Sequence, residues 1–224
     1  MTASDRTAEA TRSCCASDGA DSAALPVGAE VSSRRSDLDR LIDGTEVQIG
    51  ELQKKLAELR ARRPRDPVKD YEFRDWNDAP VRLSQLFGKH RDLIVVHNMG
   101  KSCNYCTLWA DGFIGLQPHL ESRAAFVVTS PDPIDVQRSF ARSRGWSFRM
   151  VSAHGTPFFT DMGFTDGVGD PMPGTSTFQR QTDGTIVRIQ RAEFGPGDQF
   201  CATWHLFDLL ADGVADWQPQ LKYP

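Results

Sequence analysis

Two cysteines, Cys103 and Cys106, are the residues of this sequence best placed to do chemistry. They follow the apolar segment 93–97 and a short turn that contains Gly100, and the residues after them have the pattern of a helix. At the first turn of a helix, unpaired backbone N–H groups and the positive end of the helix dipole favour a thiolate over a thiol. A Cys-x-x-Cys pair in this setting is typical of a thiol–disulfide exchange site.

The order of the two cysteines suggests their roles in such a site. We expect Cys103 to attack a disulfide as the thiolate, and Cys106, one helical turn further and more buried, to resolve the mixed disulfide. Lys101, two residues earlier, would help to stabilise the thiolate. Asn104 and Tyr105 would tune the reduction potential, and Tyr105 would also line the substrate groove.

Three nearby side chains have two interpretations each. Trp109 is expected to pack in the core of the domain beneath the dithiol. Asp111 either assists proton transfer to Cys106 or is a solvated or capping carboxylate. His97, at the end of the strand before the dithiol, is either a base or a buried histidine held by the backbone.

The sequence also allows a metal site. Cys201 is predicted in the first turn of the last helix, after Asp198 as its N-cap, and His205 lies four residues further on the same face. Together with Cys103 and Cys106 they have the ligand count of a tetrahedral zinc site. In the alternative interpretation, Cys201 is a small core residue and His205 a hydrogen-bonded helix histidine.

Composition excludes several classes of function. The 224 residues carry a net charge of −4 without a basic run, so no nucleic-acid partner is expected. No apolar stretch reaches the ~20 residues that span a bilayer, and the N-terminus has no apolar signal segment, so no membrane partner is expected. Five cysteines in a chain of this length are too few for a disulfide scaffold. We therefore expect a cytoplasmic, reducing location.

The N-terminal part divides into a tail and a helical arm. Residues 1–34 are rich in Ala, Ser, Asp and Thr and are predicted to be a disordered tail, in which Cys14 and Cys15 have no expected role. Residues 35–63 are predicted to be an amphipathic helix with Ser36 as N-cap and Pro64 after its end. The arm would pair with a second chain as a homodimer or pack on its own domain. Its a/d heptad positions are Leu38, Ile42, Thr45, Ile49, Leu52, Leu56 and Leu59.

Residues 68–218 alternate between strand and helix patterns. The order is strand, helical turn, strand, helix, strand, helix and strand, then an irregular or short helical segment, a hairpin with an Asp-Gly turn at 183–184 and a closing helix over 199–210. This order predicts an α/β domain with a thioredoxin-like fold, preceded by the helical arm. The predicted strands are 71–76, 93–97, 124–129, 148–152, 175–180 and 185–190. The predicted helices are 81–87, 103–120 and 134–145, and 158–164 is irregular or a short helix.

At these residues the sequence resembles the bacterial thioredoxin-like family catalogued as DUF899, which is related to the peroxiredoxin lineage. The resemblance covers roughly residues 36–217, and its most specific part is the block Cys-x-x-Cys-Thr-Leu-Trp-Ala-Asp-Gly-Phe over 103–113. It implies a thioredoxin fold and brings no substrate with it. Other matching pieces are 71–73, 83–87, 130–133, 144–146, 161–163 and 195–198.

The sequence departs from the better-known relatives at two places. Peroxiredoxins resemble one another in a Thr or Ser three residues before the peroxidatic cysteine and in an arginine three before a later Phe; here Gly100 and Thr175 stand at those positions. Thioredoxins carry a cis-proline where this chain has Thr175 and Ser176. These two residues would form a polar edge of the substrate groove, and a peroxidase is disfavoured.

The leading hypothesis from the sequence is a thiol–disulfide oxidoreductase without a cofactor, acting on a thiol or disulfide of a protein or small molecule. The first alternative is a zinc-binding module that uses Cys103, Cys106, Cys201 and His205. The second is an interaction module in which the arm makes a dimer.

Overall fold

The computed structural model describes residues 29–224, with side-chain environments from Arg35 onward. Most of the predicted tail, including Cys14 and Cys15, lies outside the described residues. The first helix, α1, spans Ala29–Ala61 and so begins before Ser36, the predicted N-cap. Residues 29–35 contain no Gly or Pro, and their Ala, Glu and Arg favour a helix. The helix can therefore extend towards the N-terminus beyond Ser36.

Contacts along the chain divide it at Leu56, so that Ala57–Pro224 form one compact unit. Within this unit, the side chain of Gln190 donates a hydrogen bond to the carbonyl of Arg60, in the last turn of α1. The helix ends before Pro64, whose ring disfavours helical backbone at the residue ahead of it.

The unit is built on one mixed sheet. Among residues 29–224 the sheet has the strand order β1–β8–β7–β4–β5–β6–β2–β3. The pairs β4–β5 and β5–β6 are parallel, and all other neighbours are antiparallel. The strands span Asp66–Pro67 (β1), Glu72–Arg74 (β2), Pro80–Arg82 (β3), Asp92–His97 (β4), Ala125–Ser130 (β5), Arg149–Ser152 (β6), Gly174–Arg180 (β7) and Ile186–Glu193 (β8).

Helices connect the strands in the predicted order. The crossovers β4–β5 and β5–β6 each contain one long helix, as parallel strands require. The helices after α1 span Leu83–Leu86 (α2), Asn104–Arg123 (α3), Ile134–Arg144 (α4), Phe158–Asp161 (α5) and Ala202–Phe207 (α6).

The centre of the sheet is buried on both faces, as its apolar strands predict. Leu93 and Val95 of β4 belong to one hydrophobic cluster, which also contains Phe158 and Phe164. Val96 of β4 belongs to a second cluster, together with the residues of α3. Successive side chains of a strand point to opposite faces, so Leu93 and Val95 belong to one cluster, and Val96 with the partly buried Ile94 to the other.

Several predicted boundaries inside the domain are wrong. The 71–76 strand is only Glu72–Arg74, because Asp75 accepts hydrogen bonds from the N–H groups of Asn77 (2.8 Å) and Ala79 (3.0 Å) and turns the chain. The segment 81–87 begins as strand β3 before α2. The last helix begins at Ala202 with Cys201 as N-cap, because Asp198 caps the preceding turn and accepts from the N–H of Phe200 (2.6 Å).

None of the described helices is both long enough and apolar enough to cross a membrane.

Candidate functional site

The dithiol lies where the sequence predicts it, at the start of α3. Cys103 is the N-cap residue, with extended backbone (φ −96°, ψ 106°), and its side chain is half-buried. Its Sγ accepts a hydrogen bond from the backbone N–H of Cys106 (3.1 Å). A thiol in place of the usual Ser or Asp cap therefore receives one of the unpaired N–H groups of the helix start.

Cys106 lies one turn further and is 2% exposed. Its Sγ accepts a hydrogen bond from the backbone N–H of Met99 (3.4 Å), in the turn after β4. Both thiols are free. The pair therefore consists of one half-buried and one buried cysteine.

The two thiols have opposite electrostatic environments. The pKa of Cys103 is lowered to about 7, first by the hydrogen bond from the Cys106 thiol, against the effect of burial, and then by the backbone N–H groups of Cys106 and Tyr105. The pKa of Cys106 is raised, first by its hydrogen bond to Cys103 and then by burial. At neutral pH a large fraction of Cys103 is thiolate, and Cys106 carries the proton.

Asn98 and Asp132, for which the sequence predicted no role, hold the turn between β4 and α3. Asn98 accepts a hydrogen bond from the N–H of Gly100 (2.8 Å) and donates one to the carbonyl of Cys106 (3.3 Å). Asp132, at the carboxyl end of β5, accepts a hydrogen bond from the N–H of Lys101 (2.9 Å). Together they hold both ends of the turn that precedes the dithiol.

A sequence signal for these two residues existed. Asn98 follows β4 directly, and Asp132 follows β5 in the segment Ser-Pro-Asp-Pro. Because β4 and β5 are parallel, their carboxyl ends meet at the same edge of the sheet. Polar residues that directly follow two such strands are therefore expected near the same turn.

The predicted supporting residues around the dithiol differ in their placement. Lys101 is exposed, and it is not among the groups that lower the pKa of Cys103, which are Cys106 and Tyr105. Lys101 supports the turn before the dithiol through the hydrogen bond from its backbone N–H to Asp132. Asn104 is exposed as the first residue of α3. Tyr105 is half-buried and stacks on Trp204 with ring centroids 6.0 Å apart.

Trp109 packs in the core, and the hydrogen bonds of the Asp111 carboxylate go to Arg144 and Trp146. Trp109 is 3% exposed and packs against Phe194 at a centroid distance of 5.4 Å, in agreement with the predicted core role. Asp111 is bonded to the guanidinium of Arg144 and accepts from the indole N–H of Trp146 (2.8 Å). Neither predicted role of Asp111 is found, because its carboxylate joins α3 to α4 and to the segment after α4.

Only one of the two predicted groove residues lies on the face of the dithiol. Thr175 pairs with Val96 in the β4–β7 ladder, and its hydroxyl donates to the carbonyl of Val95 (3.2 Å). Ser176 points to the opposite face, is fully buried, and bonds to the ring Nε2 of His97 (3.0 Å). The prediction of a Thr-Ser groove edge is therefore wrong for Ser176, because neighbouring residues of a strand face opposite ways.

His97 is likewise on the far side of the sheet. Its ring stacks on Phe164 at 4.0 Å between centroids and also contacts Phe158 (5.2 Å). Burial, and then the charge of Arg188, lowers the pKa of His97 to about 3. It is a neutral core histidine whose partner is a hydroxyl rather than the backbone, and it is no base for Cys103.

The four residues of the predicted zinc site are not brought together. Within residues 29–224, no group of three or more His, Cys, Asp or Glu side chains is arranged to hold a metal ion. Cys201 is buried in the same hydrophobic cluster as Cys106. His205 is exposed and bonds to the carbonyl of Asp198 (3.0 Å).

Fold and site together define the class of protein. A central parallel β-α-β-α-β unit is extended by an antiparallel hairpin, with Cys-x-x-Cys at the N-terminus of the first crossover helix; this is a thioredoxin-like protein with a dithiol. A family model described as "Bacterial protein of unknown function (DUF899)" matches residues 34–222. The chain belongs to this family.

Two solved structures are among those similar to the chain. A mutant of the peroxiredoxin PrxQ from Xylella fastidiosa has a TM-score of 0.50 at 14% identity, over 58% of this chain and 85% of that one. The peroxidoxin BcpB of Mycobacterium tuberculosis has a TM-score of 0.46 at 29% identity, over 58% and 84% of the two chains. The PrxQ likeness supports the thioredoxin-like fold and says nothing about substrate. The comparison with curated proteins gave no match.

Proposed function

We propose that the protein is a thiol–disulfide oxidoreductase in which Cys103 attacks and Cys106 resolves. The observation that carries this proposal is the asymmetry of the dithiol: a half-buried N-cap sulfur with a pKa of about 7 next to a buried sulfur whose pKa is raised. A thiol with a pKa near the ambient pH combines a useful thiolate fraction with good nucleophilicity.

The exchange consumes one disulfide and one dithiol. The Cys103 thiolate attacks one sulfur of a substrate disulfide, the substrate S–S bond breaks, and the other substrate sulfur leaves as a thiolate that takes up a proton. Cys106 then loses its proton and attacks Cys103, releasing the second substrate thiol. The substrate gains two electrons, and the protein is left with a Cys103–Cys106 disulfide that a dithiol reductant must reduce.

The raised pKa of Cys106 is compatible with its resolving role. The hydrogen bond to Cys103 and the charge on Cys103 both contribute to the raised pKa. Once Cys103 is in a mixed disulfide it carries no charge, so the contribution of that charge disappears. The pKa of Cys106 therefore falls at the stage when its thiolate is needed.

Equilibration of the purified chain with glutathione redox buffers, followed by peptide mass spectrometry, tests the proposal. We expect the peptide that holds Cys103 and Cys106 to convert between two thiols and one disulfide at a single potential. With Cys106→Ser, a mixed disulfide with glutathione should accumulate on Cys103; with Cys103→Ser, no disulfide should form in this peptide. Cys201→Ser is the matched control, and it should leave the transition unchanged.

A dithiol that stays reduced through the whole range of buffers would contradict the proposal. Hydrogen peroxide provides a separate arm of the same experiment. Oxidation of Cys103 by peroxide much faster than by glutathione disulfide would assign the site to peroxide reduction instead of disulfide exchange.

A further inference from the structure

An apolar face of α1 is exposed along several turns. Leu52 is 65% exposed and Ile42 56%, and the lowest value among the apolar heptad residues is 41%, at Leu56. The a and d positions recur with the 3.5-residue average spacing of a coiled-coil seam, and over 38–59 they form a stripe about 33 Å long. We call this stripe the heptad face; its members are Leu38, Ile42, Thr45, Ile49, Leu52, Leu56 and Leu59.

Charge divides residues 36–63, the part of the arm that carries the heptad face, into two segments of opposite sign. In residues 36–51 the single base is Arg40, and in residues 52–63 the single acid is Glu58. The acids of the first segment are Asp37, Asp39, Asp43, Glu46 and Glu51. The bases of the second segment are Lys54, Lys55, Arg60, Arg62 and Arg63. The arm is therefore complementary to a second copy of itself only when the two run in opposite directions.

We propose that the heptad face is a homodimer interface in which two α1 helices pair antiparallel. This proposal concerns α1 alone and does not depend on the function of the dithiol. In an antiparallel pair, an a position of one helix shares a layer with a d position of the other. One register satisfies the layers from Ile42 to Leu59: Ile42 faces Leu59, Thr45 faces Leu56, and Ile49 faces Leu52.

The flanking positions agree with this register. Asp39 and Arg60 both occupy e positions, and in the antiparallel register Asp39 of each helix lies opposite Arg60 of the other. A parallel pair would instead place Lys55 at g opposite Arg60 at e, which sets two bases against each other on each side. Flanking charges set orientation more than they set affinity, so they select the antiparallel pair.

Sedimentation equilibrium on the full chain over a wide protein concentration range tests whether the heptad face dimerises. We expect a monomer–dimer equilibrium that Leu52→Lys weakens at least tenfold, because two charged groups would enter the seam. The matched control is Val47→Lys, at an f position that is 63% exposed and off the seam. It should leave the dissociation constant within about twofold. A monomer at all concentrations, or equal effects of the two variants, would overturn the interface.

Arg60→Glu separates the two orientations. In the antiparallel pair it sets a new carboxylate against Asp39 at both ends of the dimer, so the dissociation constant should rise about fivefold to tenfold. In a parallel pair it would relieve the clash with Lys55 and tighten the dimer. Asp39→Arg combined with Arg60→Glu should restore the affinity of the unmodified chain, with far-UV circular dichroism as the check on folding. Tightening by Arg60→Glu, or no rescue by the double variant, would overturn the antiparallel assignment.

Discussion

The carboxylate of Asp132 lies directly against Gly100, in the turn that leads to the dithiol. A Cβ built on Gly100 would lie 2.6 Å from Asp132 Oδ2, and the same oxygen accepts the N–H of Lys101 at 2.9 Å. Gly100 also has φ +103°, a backbone conformation that residues other than glycine rarely adopt. The end of β5 and the turn after β4 are therefore fitted to each other at this glycine.

Gly100→Ala should lower the free energy of unfolding by about 2 kcal/mol, because both the positive φ and the contact with Asp132 oppose a methyl group. Urea unfolding measures this free energy. Gly112→Ala is the matched control: Gly112 lies inside α3 with nothing within 4 Å of an added Cβ, and it should stabilise by about 0.5–1 kcal/mol. Equal behaviour of the two variants would show that the turn is not constrained as described.

The alkylation rate of Cys103 should follow its thiolate fraction. It should rise with pH and reach half its maximum near pH 7, because the pKa of Cys103 is about 7. Cys106→Ala removes the thiol that donates to Cys103, so the midpoint should move upward towards the ordinary cysteine value. Iodoacetamide labelling followed by mass spectrometry of the Cys103 peptide measures both profiles. A midpoint that Cys106→Ala does not move would remove the hydrogen bond as the cause.

His97 should make the protein less stable as the pH falls. Its folded pKa of about 3 lies below the unfolded value near 6.5, so between these pH values the unfolded chain binds a proton that the folded chain does not. The contribution of neutral His97 to the free energy of unfolding is fully present above pH 6.5 and is lost as the pH falls. The loss between pH 7.5 and pH 5 amounts to about 2 kcal/mol.

The measurement for His97 is the free energy of urea unfolding at several pH values between 7.5 and 5. His97→Phe should be destabilised overall but should lose less stability on acidification than the unmodified chain. His154→Asn is the matched control, since His154 is exposed, and it should keep the original pH dependence. Parallel curves for His97→Phe and the unmodified chain would be inconsistent with a buried, neutral His97.

Asp111→Asn should affect stability and leave the dithiol unchanged. Asp111 is bonded to Arg144 and Trp146, and a neutral amide would leave the partly buried guanidinium without its charged partner, at a cost of about 1–3 kcal/mol. The pH midpoint of Cys103 alkylation should stay where it is. A shift of that midpoint would restore the prediction that Asp111 assists proton transfer. Asp135→Asn, at an exposed site, serves as the control.

Much of this structure is readable from local patterns. The apolar segment 93–97, the hairpin turn at 183–184 and the helix after Cys103 all have period and turn signals that depend only on near neighbours. Helix boundaries were less predictable. The last helix begins after Cys201 rather than after Asp198, because the Asp198 carboxylate accepts from the N–H of Phe200 in the turn before the helix.

The dithiol, its place at a helix start and the thioredoxin-like order of elements are all predictable from the sequence, because each depends on residue spacing along a short stretch. The polar contacts around the dithiol are not predictable in this way. Asn98 and Asp132 hold its turn, Asp111 is bonded to Arg144, and Ser176 faces His97 across the far side of the sheet. Contacts between strands depend on register and on the face to which each side chain points, and the pattern of one segment does not specify either of them.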